Sequence, residues 1–476
     1  MKQYDLIAIG TGSAMNVVTA ALNENPDLRV AVIDKDEPGG ICLTKGCIPT
    51  KILIYPADVI RIIERSNIFG IQTEIKDIDF MQVMKRMREI IDEDINNIRE
   101  GLTNAEELDY YQDVAEFIAP YTLKIGNQKI KGKTILLCTG SKPLIPPIEG
   151  LDKIDYHTSD SILHVTMLPK RLCIVGGGYI AAEFGHFFST MGSKVTIIGR
   201  NKYLVPQEEP EVSNLAKEKM SKYMDIHVNC EVIKIEEKNG EKIIHARNTE
   251  TNESTTVSCD EILIATGRSP NTDILNPEKS GVETDDKGWI KVDDRLETSK
   301  ENIWAFGDAN GKHLFKHVAN YESLIVYYNA ILEKTAKVNY HAIPHAVFSH
   351  PEIASVGMTE LEAIEKYGKA KILIGFQRYQ DTAKGIAMDL KDYFVKIIIE
   401  QKDMRILGAH IIGPQASVLI QEIINLMYTP QQSIIPLRYG MHIHPALNEV
   451  VERAAGNLMR VPDYHHYLKH MGLSRE

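Results

Sequence analysis

The chain has 476 residues, 43% hydrophobic and 25% charged, with a formal net charge of -11. That length supports about three domains with sizeable cores. The acidic balance excludes the basic face that nucleic-acid or membrane-surface binding needs, and no apolar run reaches membrane-spanning length.

YDLIAIG reads as a strand by its short β-branched run, GTGS as a turn, MNVVTAALNEN as a helix and LRVAVID as a second strand. In the turn, Gly10 permits the tight bend and Gly12 lets the backbone approach a pyrophosphate at a helix N-terminus. Asp34 ends the second strand, where a carboxylate holds ribose hydroxyls. The usual third glycine is Met15, which leaves Ala14 as the small residue there. The chain starts straight into this unit with no signal-peptide layout, so a cytoplasmic protein is expected.

GGICLTKGCIPTK follows, with Cys42 and Cys47 five positions apart. Cytoplasmic thiols stay reduced, so such a pair points to catalysis rather than to a structural staple. In a regular helix these positions lie about 8–9 Å apart at Cα, beyond the roughly 7 Å a disulfide spans. A bond therefore needs a distorted turn, which Gly46 and Pro49 allow. Regular helix should begin only after the pair, with Cys47 near its N-terminus and Lys51 one turn on; both favour a thiolate. Two unpaired buried cysteines, or half a zinc site, are the alternatives, and no second Cys/His pair is spaced to complete the zinc. Cys138, Cys173, Cys230 and Cys259 are expected to be small buried hydrophobes.

Phe80, Met84, Met87, Ile91, Ile95 and Ile98 recur at steps of four and three, the packing stripe of a long helix. A strand meander runs to about Pro143. Residues 171–200 then repeat the first layout, with Gly176, Gly178 and Ala181 in the turn. This second strand ends in Gly199 and Arg200 instead of an acid. A ribose 2'-OH loses its partner and a 2'-phosphate gains one, which favours NADPH; an ordinary surface arginine is the alternative. After Ala342 the pattern becomes a mixed α+β segment. Within it His444 suits an acid-base role near neutral pH, and Glu449 fixes its tautomer if the chain curls at Pro445. In the tail, His466 and His470 are four apart, but a helix covering a dimer surface is expected there and no metal site.

Together these stretches resemble the FAD-dependent pyridine-nucleotide disulfide oxidoreductases, over nearly the whole chain. The resemblance also rests on LLCTGSKP (136–143), GGGYIAAE (176–183), ATGRSPN (265–271), WAFGDAN (304–310), FSHPEIASVGMTE (348–360) and HPALNE (444–449). It implies two Rossmann-like domains, for FAD and NAD(P), and a C-terminal α+β dimerisation domain. The implied boundaries are 1–150 and 273–342 for the two parts of the FAD domain, 151–272 for the NAD(P) domain and 343–476 for the dimerisation domain. It implies FAD and NADPH (or NADH) as cofactors, no metal, and a homodimer with shared active sites.

Residue by residue, Cys47 is implied as the thiol beside the flavin and Cys42 as the thiol that attacks a substrate disulfide. Lys51 is implied against the flavin, paired with Glu183, and Tyr179 as the ring that covers it. Asp308 is implied at the ribityl chain, His317 and Ala319 at a helix start facing the flavin, and Ala115, Gly140 and Ser141 at the adenosine half. Ser13, Gly40, Thr139, Gly267, Arg268 and Gly307 complete the implied cofactor contacts. His444 and Glu449 become the acid-base pair. CIPTKILIYPAD, FKHVANYES and LGAHIIGPQASVLIQ look most like mycothione reductase, so reduction of a small disulfide is expected. Oxidation of dihydrolipoamide with NAD is the runner-up. Mercuric reductase fits less well, because no cysteine follows His444 to hand on a metal ion. A non-catalytic flavoprotein subunit has no need for Cys42, Cys47, His444 and Glu449, and a flavin-free dehydrogenase would purify colourless.

Overall fold

The last four residues of the strand Lys2–Ile9 are all buried, which marks a strand covered on both faces rather than a half-exposed one. The computed structural model describes residues 1–473. Lys2–Ile9 lies in parallel between Val30–Asp34 and Gln128–Leu137. Leu108–Gln112 extends the first side. Ile303–Ala305 returns from far along the chain to pair in parallel with Gln128–Leu137. An antiparallel ribbon, Ala115–Ala119 and Thr122–Ile125, completes this seven-stranded sheet.

A second sheet of five parallel strands has Arg171–Val175 at its centre, between Lys194–Ile198 and Glu261–Ile264. The turn after its central strand obeys the same constraint as the turn after Lys2–Ile9. Gly10 has φ 108° and a Cβ there would stand 2.2 Å from the Cys138 carbonyl oxygen; Gly176 has φ 130° and a Cβ would stand 2.1 Å from that of Ala265. In both units a neighbouring strand end presses on the turn so closely that only glycine fits. The helix Phe80–Asn104, capped by the Asp79 side chain, joins the two units. Its stripe of Phe80, Met84, Met87, Ile91 and Ile95 is buried, and the Phe80 ring lies 6.2 Å from those of Phe187 and Phe188 on the helix Tyr179–Met191.

The third layer is a six-stranded antiparallel sheet that begins at Pro344–Val347 and ends at Leu458–Arg460. The architecture is thus α/β, with two Rossmann-like units and an α+β unit. Lys396, fully buried on the strand Phe394–Glu400, binds the second unit to the third: its Nζ donates to Glu211 at 2.6 Å and Glu360 at 2.8 Å and lies 3.2 Å from Glu209. Tyr464, on the last helix, donates to the same Glu211 at 2.8 Å. Replacing Lys396 with methionine leaves buried carboxylates uncompensated, at a cost of about 3–5 kcal/mol. Chemical denaturation of Lys396→Met should show the loss; an unchanged midpoint would sink this account of the inter-unit contact.

Candidate active site

The cysteine stretch folds as two helices. Gly40–Thr44 carries Cys42, the chain breaks at Lys45 and Gly46, and Cys47 is the first residue of the helix Cys47–Glu64. Cys47 starts a helix as expected, but helix does not wait until after the pair: Cys42 already lies in a short helix, with the break falling between the two cysteines. Gly40 has φ 72°, and a Cβ on it would stand 2.6 Å from the Gly12 Cα, so the cysteine segment rests directly on the first glycine turn.

The Cys42 thiol hydrogen-bonds the Cys47 sulfur. That bond, with the Lys51 ammonium one turn on, brings the Cys47 pKa down to about 7 against the effect of its own burial. The same bond, with burial, pushes the Cys42 thiol well up. Lys51 is itself fixed: its Nζ donates to Glu183 at 2.7 Å and lies 4.6 Å from the centre of the Phe348 ring. The Phe348 backbone N–H donates to the other Glu183 oxygen at 3.1 Å.

Both sulfurs open into a cavity of about 1100 Å³ that extends from the first glycine turn past Asp34 and Asp308 to Lys51 and Tyr179. The residues present fit FAD. The Gly10 and Gly12 turn leaves room for a pyrophosphate, and Thr139 Oγ1 is buried at the cavity with no hydrogen-bond partner among the described residues. Asp34 accepts from Thr11, at 2.8 Å from its N–H and 2.5 Å from its hydroxyl, and burial raises its pKa. Burial also raises that of Asp308, against a hydrogen bond from Ser141. Arg268 donates to the Ser141 hydroxyl at 2.6 Å and so orients it. Ser13, Gly40, Ala115, Gly140, Gly307, His317 and Ala319 also line the cavity.

Several expected residues lie elsewhere. Ala14 is buried behind the turn at the start of its helix. Gly176, Gly178, Ala181 and Gly267 are not in the cavity wall, and Arg200 is exposed at the end of the second unit's strand. Gly199 has a packing reason to be glycine, since a Cβ on it would stand 3.1 Å from the Gly177 Cα. His444 Nδ1 meets Glu449 at 2.9 Å, which lowers the Glu449 pKa, but His444 is two-thirds exposed and does not line its own chain's cavity.

Four contributors are not singled out by the motifs: Thr11, Phe348, Lys316 and His345. Lys316 donates to the Ser13 hydroxyl at 3.0 Å. His345 lines the cavity, stacks on Phe315 at 5.8 Å and meets the buried Glu208 at 2.6 Å. Thr11 lies inside the GTG turn, Lys316 inside FKHVANYES and Phe348 at the start of FSHPEIASVGMTE, yet none of these stretches assigned them a role, and His345 lies outside them all. Among the other cysteines, Cys173 and Cys259 are buried as expected but hydrogen-bond each other across two strands.

Comparison with known proteins agrees with this geometry. Residues 4–333 match the family model described as pyridine nucleotide-disulphide oxidoreductase, and residues 343–455 match that family's dimerisation domain. Mycothione reductase of Mycobacterium tuberculosis is 33% identical over 95% of this chain and 99% of its own length. Dihydrolipoyl dehydrogenase of Synechocystis is 31% identical over 95% and 98%. The HOCl-induced flavoprotein disulfide reductase RclA of Escherichia coli, solved as a Cu(II) complex, superposes with a TM-score of 0.85 at 28% identity, over 96% of this chain and 99% of that one. With its thiol pair, its cavity and both family domains in place, the chain belongs to the pyridine nucleotide-disulphide oxidoreductase family, enzymes that use FAD and a nicotinamide nucleotide.

Proposed function

We propose that the protein is a cytoplasmic, homodimeric NADPH-dependent reductase of a small disulfide, of the mycothione reductase kind. The observation that carries this reading is the Cys42–Cys47 pair, whose inner sulfur is pulled down to about 7 and which opens into the cavity of the first glycine turn. When bound, FAD supplies the two-electron link between nicotinamide and thiol pair. In the proposed cycle Cys47 is held as a thiolate by Lys51, and Glu183 keeps Lys51 in place. Cys42 retains its proton, so its attack on a disulfide needs a base, and the geometry of His444 with Glu449 suits that task. Cys42 forms the mixed disulfide, and the departing thiolate takes the proton from His444. Cys47 then attacks the Cys42 sulfur, expelling the second thiolate, which takes its proton from solvent, and closing the Cys42–Cys47 disulfide.

Because His444 lies outside its own chain's cavity, the proposal brings in His444 of the partner subunit, across a two-fold axis. Oxidation of dihydrolipoamide with NAD uses the same groups in reverse, and the Synechocystis relative supports it as the second reading. The nicotinamide separates the two. Gly199 offers no carboxylate and Arg200 is free to meet a phosphate, which supports NADPH.

In the flavin-loaded enzyme, Cys42→Ser should show long-wavelength absorbance from a Cys47 thiolate beside oxidised flavin, growing as pH rises; because the substitution removes the thiol hydrogen bond that lowers Cys47 most, its midpoint should lie above the value of about 7 in the intact pair. Lys51→Met removes a cation that favours the thiolate, so its midpoint should move to higher pH. Cys47→Ser should show no band, and a band of equal size in both cysteine variants would reverse or abolish the division of roles. Wild-type enzyme should be more efficient with NADPH than NADH, and Arg200→Ala should weaken NADPH selectively in steady-state assays with a panel of small disulfides. Preference for NADH, with turnover of dihydrolipoamide, would transfer the assignment to the second reading.

The shared site is testable by mixing chains. A heterodimer of Cys42→Ser and His444→Ala chains should retain about half of wild-type turnover, since under two-fold symmetry one site carries both lesions and the other none. Both mutant homodimers should be nearly inactive. An inactive heterodimer would place each site within one chain.

A further inference from the structure

The last helix, Val461–His470, buries Val461, Tyr464 and Leu468 and exposes its opposite face. It is pinned to the body by the Tyr464 bond to Glu211 and by His465, whose Nε2 meets Glu360 at 2.6 Å. On the exposed face, His466 and His470 sit one turn apart with Nε2 atoms only 2.9 Å from each other and ring centres at 4.4 Å. Side chains four apart on a helix ordinarily have Cβ atoms about 5–6 Å apart; here both rings lean inwards until their nitrogens converge. From the four-residue spacing alone a helical tail is the expected reading; the contact between the two rings adds that both Nε2 atoms can reach one point. The 2.9 Å separation is that of an N–H···N hydrogen bond, and two metal–nitrogen bonds of about 2.0 Å need nitrogens about 2.8–3.3 Å apart, so modest ring rotations turn the pair into a chelate.

We propose that His466 and His470 form a two-imidazole site for a divalent transition metal, selective for Cu(II). Imidazole is a borderline donor, and Cu(II) stands highest among divalent first-row metals at such sites. The buried face of the helix fixes the two Cα positions in advance, so binding orders little beyond the side chains. On binding, the imidazole that donates in the pair moves its proton to Nδ1 through solvent, and each Nε2 gives one lone pair to the cation. No net proton is released, and water fills the remaining corners. Both histidines lie beyond residue 455, where the match to the dimerisation domain ends. The proposal does not depend on the reading of the thiol site.

The test uses full-length flavin-loaded protein with its thiol pair oxidised, so that the sulfurs do not compete for copper. Cu(II) titration against a competing chelator, followed by electron paramagnetic resonance, should show one tight equivalent per chain with nitrogen couplings from two imidazoles. His466→Ala and His470→Ala should each weaken that equivalent roughly tenfold or more, the loss of one of two donors, while metal-free melting temperatures stay at the wild-type value. Zn(II) should compete poorly. Unchanged Cu(II) affinity in either variant, coupling from a single imidazole in the wild type, or the lack of a tight equivalent would overturn the site.

Discussion

The ion pair between Lys51 and Glu183 holds three parts of the chain at one point. Lys51 is on the helix that begins with Cys47, Glu183 is on the helix that follows the second glycine turn, and the second Glu183 oxygen takes the backbone N–H of Phe348 in the third layer. A carboxylate with two oxygens is well suited to such a junction, because each can serve a different donor. The pair is mostly shielded from solvent on the glutamate side, so it is not a surface bridge of negligible worth. The position of the charge that lowers Cys47 thus depends on the placing of the second nucleotide unit and the third sheet. Electrostatics at the sulfur and the docking of the domains are one problem.

Much of this was legible in the sequence because its signals are local. Gly10 and Gly176 carry positive φ angles, and their strand-turn-helix surroundings announce themselves within a few residues. The cysteine spacing foretold a broken helix, and the spacing of His444 and Glu449 foretold a contact. What stayed hidden depends on residues distant in the chain. Glu208 finds His345, and Lys396 gathers two glutamates from the second unit and one from its own; no window of sequence contains either group. Gly199 shows the opposite hazard. It reads as a missing acid, a statement about cofactor choice, yet it also sits where two backbones nearly touch. The packing constraint is one that only the fold reveals.

The polar groups around the cavity divide by their surroundings. Asp34 and Asp308 are buried, so burial favours their neutral forms, and each is offset by hydroxyl donors close in space. Glu449 is the reverse case: His444 draws its pKa down at the surface of the third layer. The carboxylates that face the first glycine turn and the one that meets His444 are therefore set apart by environment and not by residue type.

The return of Ile303–Ala305 to the strand Gln128–Leu137 bears on how the chain reaches this structure. On a ribosome the first sheet remains short of that strand until the entire second nucleotide unit has emerged. The second unit has all five strands of its own sheet between His157 and Ile264, so it can close first. Its order would then bring the two halves of the earlier sheet together, replacing a long floppy connection with a compact one. The entropy of closing such a loop grows only slowly with its length, by about 0.6 kcal/mol per doubling, so the delay is one of timing more than of stability. The unit interrupted in sequence is thus the later one to be completed during synthesis, although it begins at the first residue.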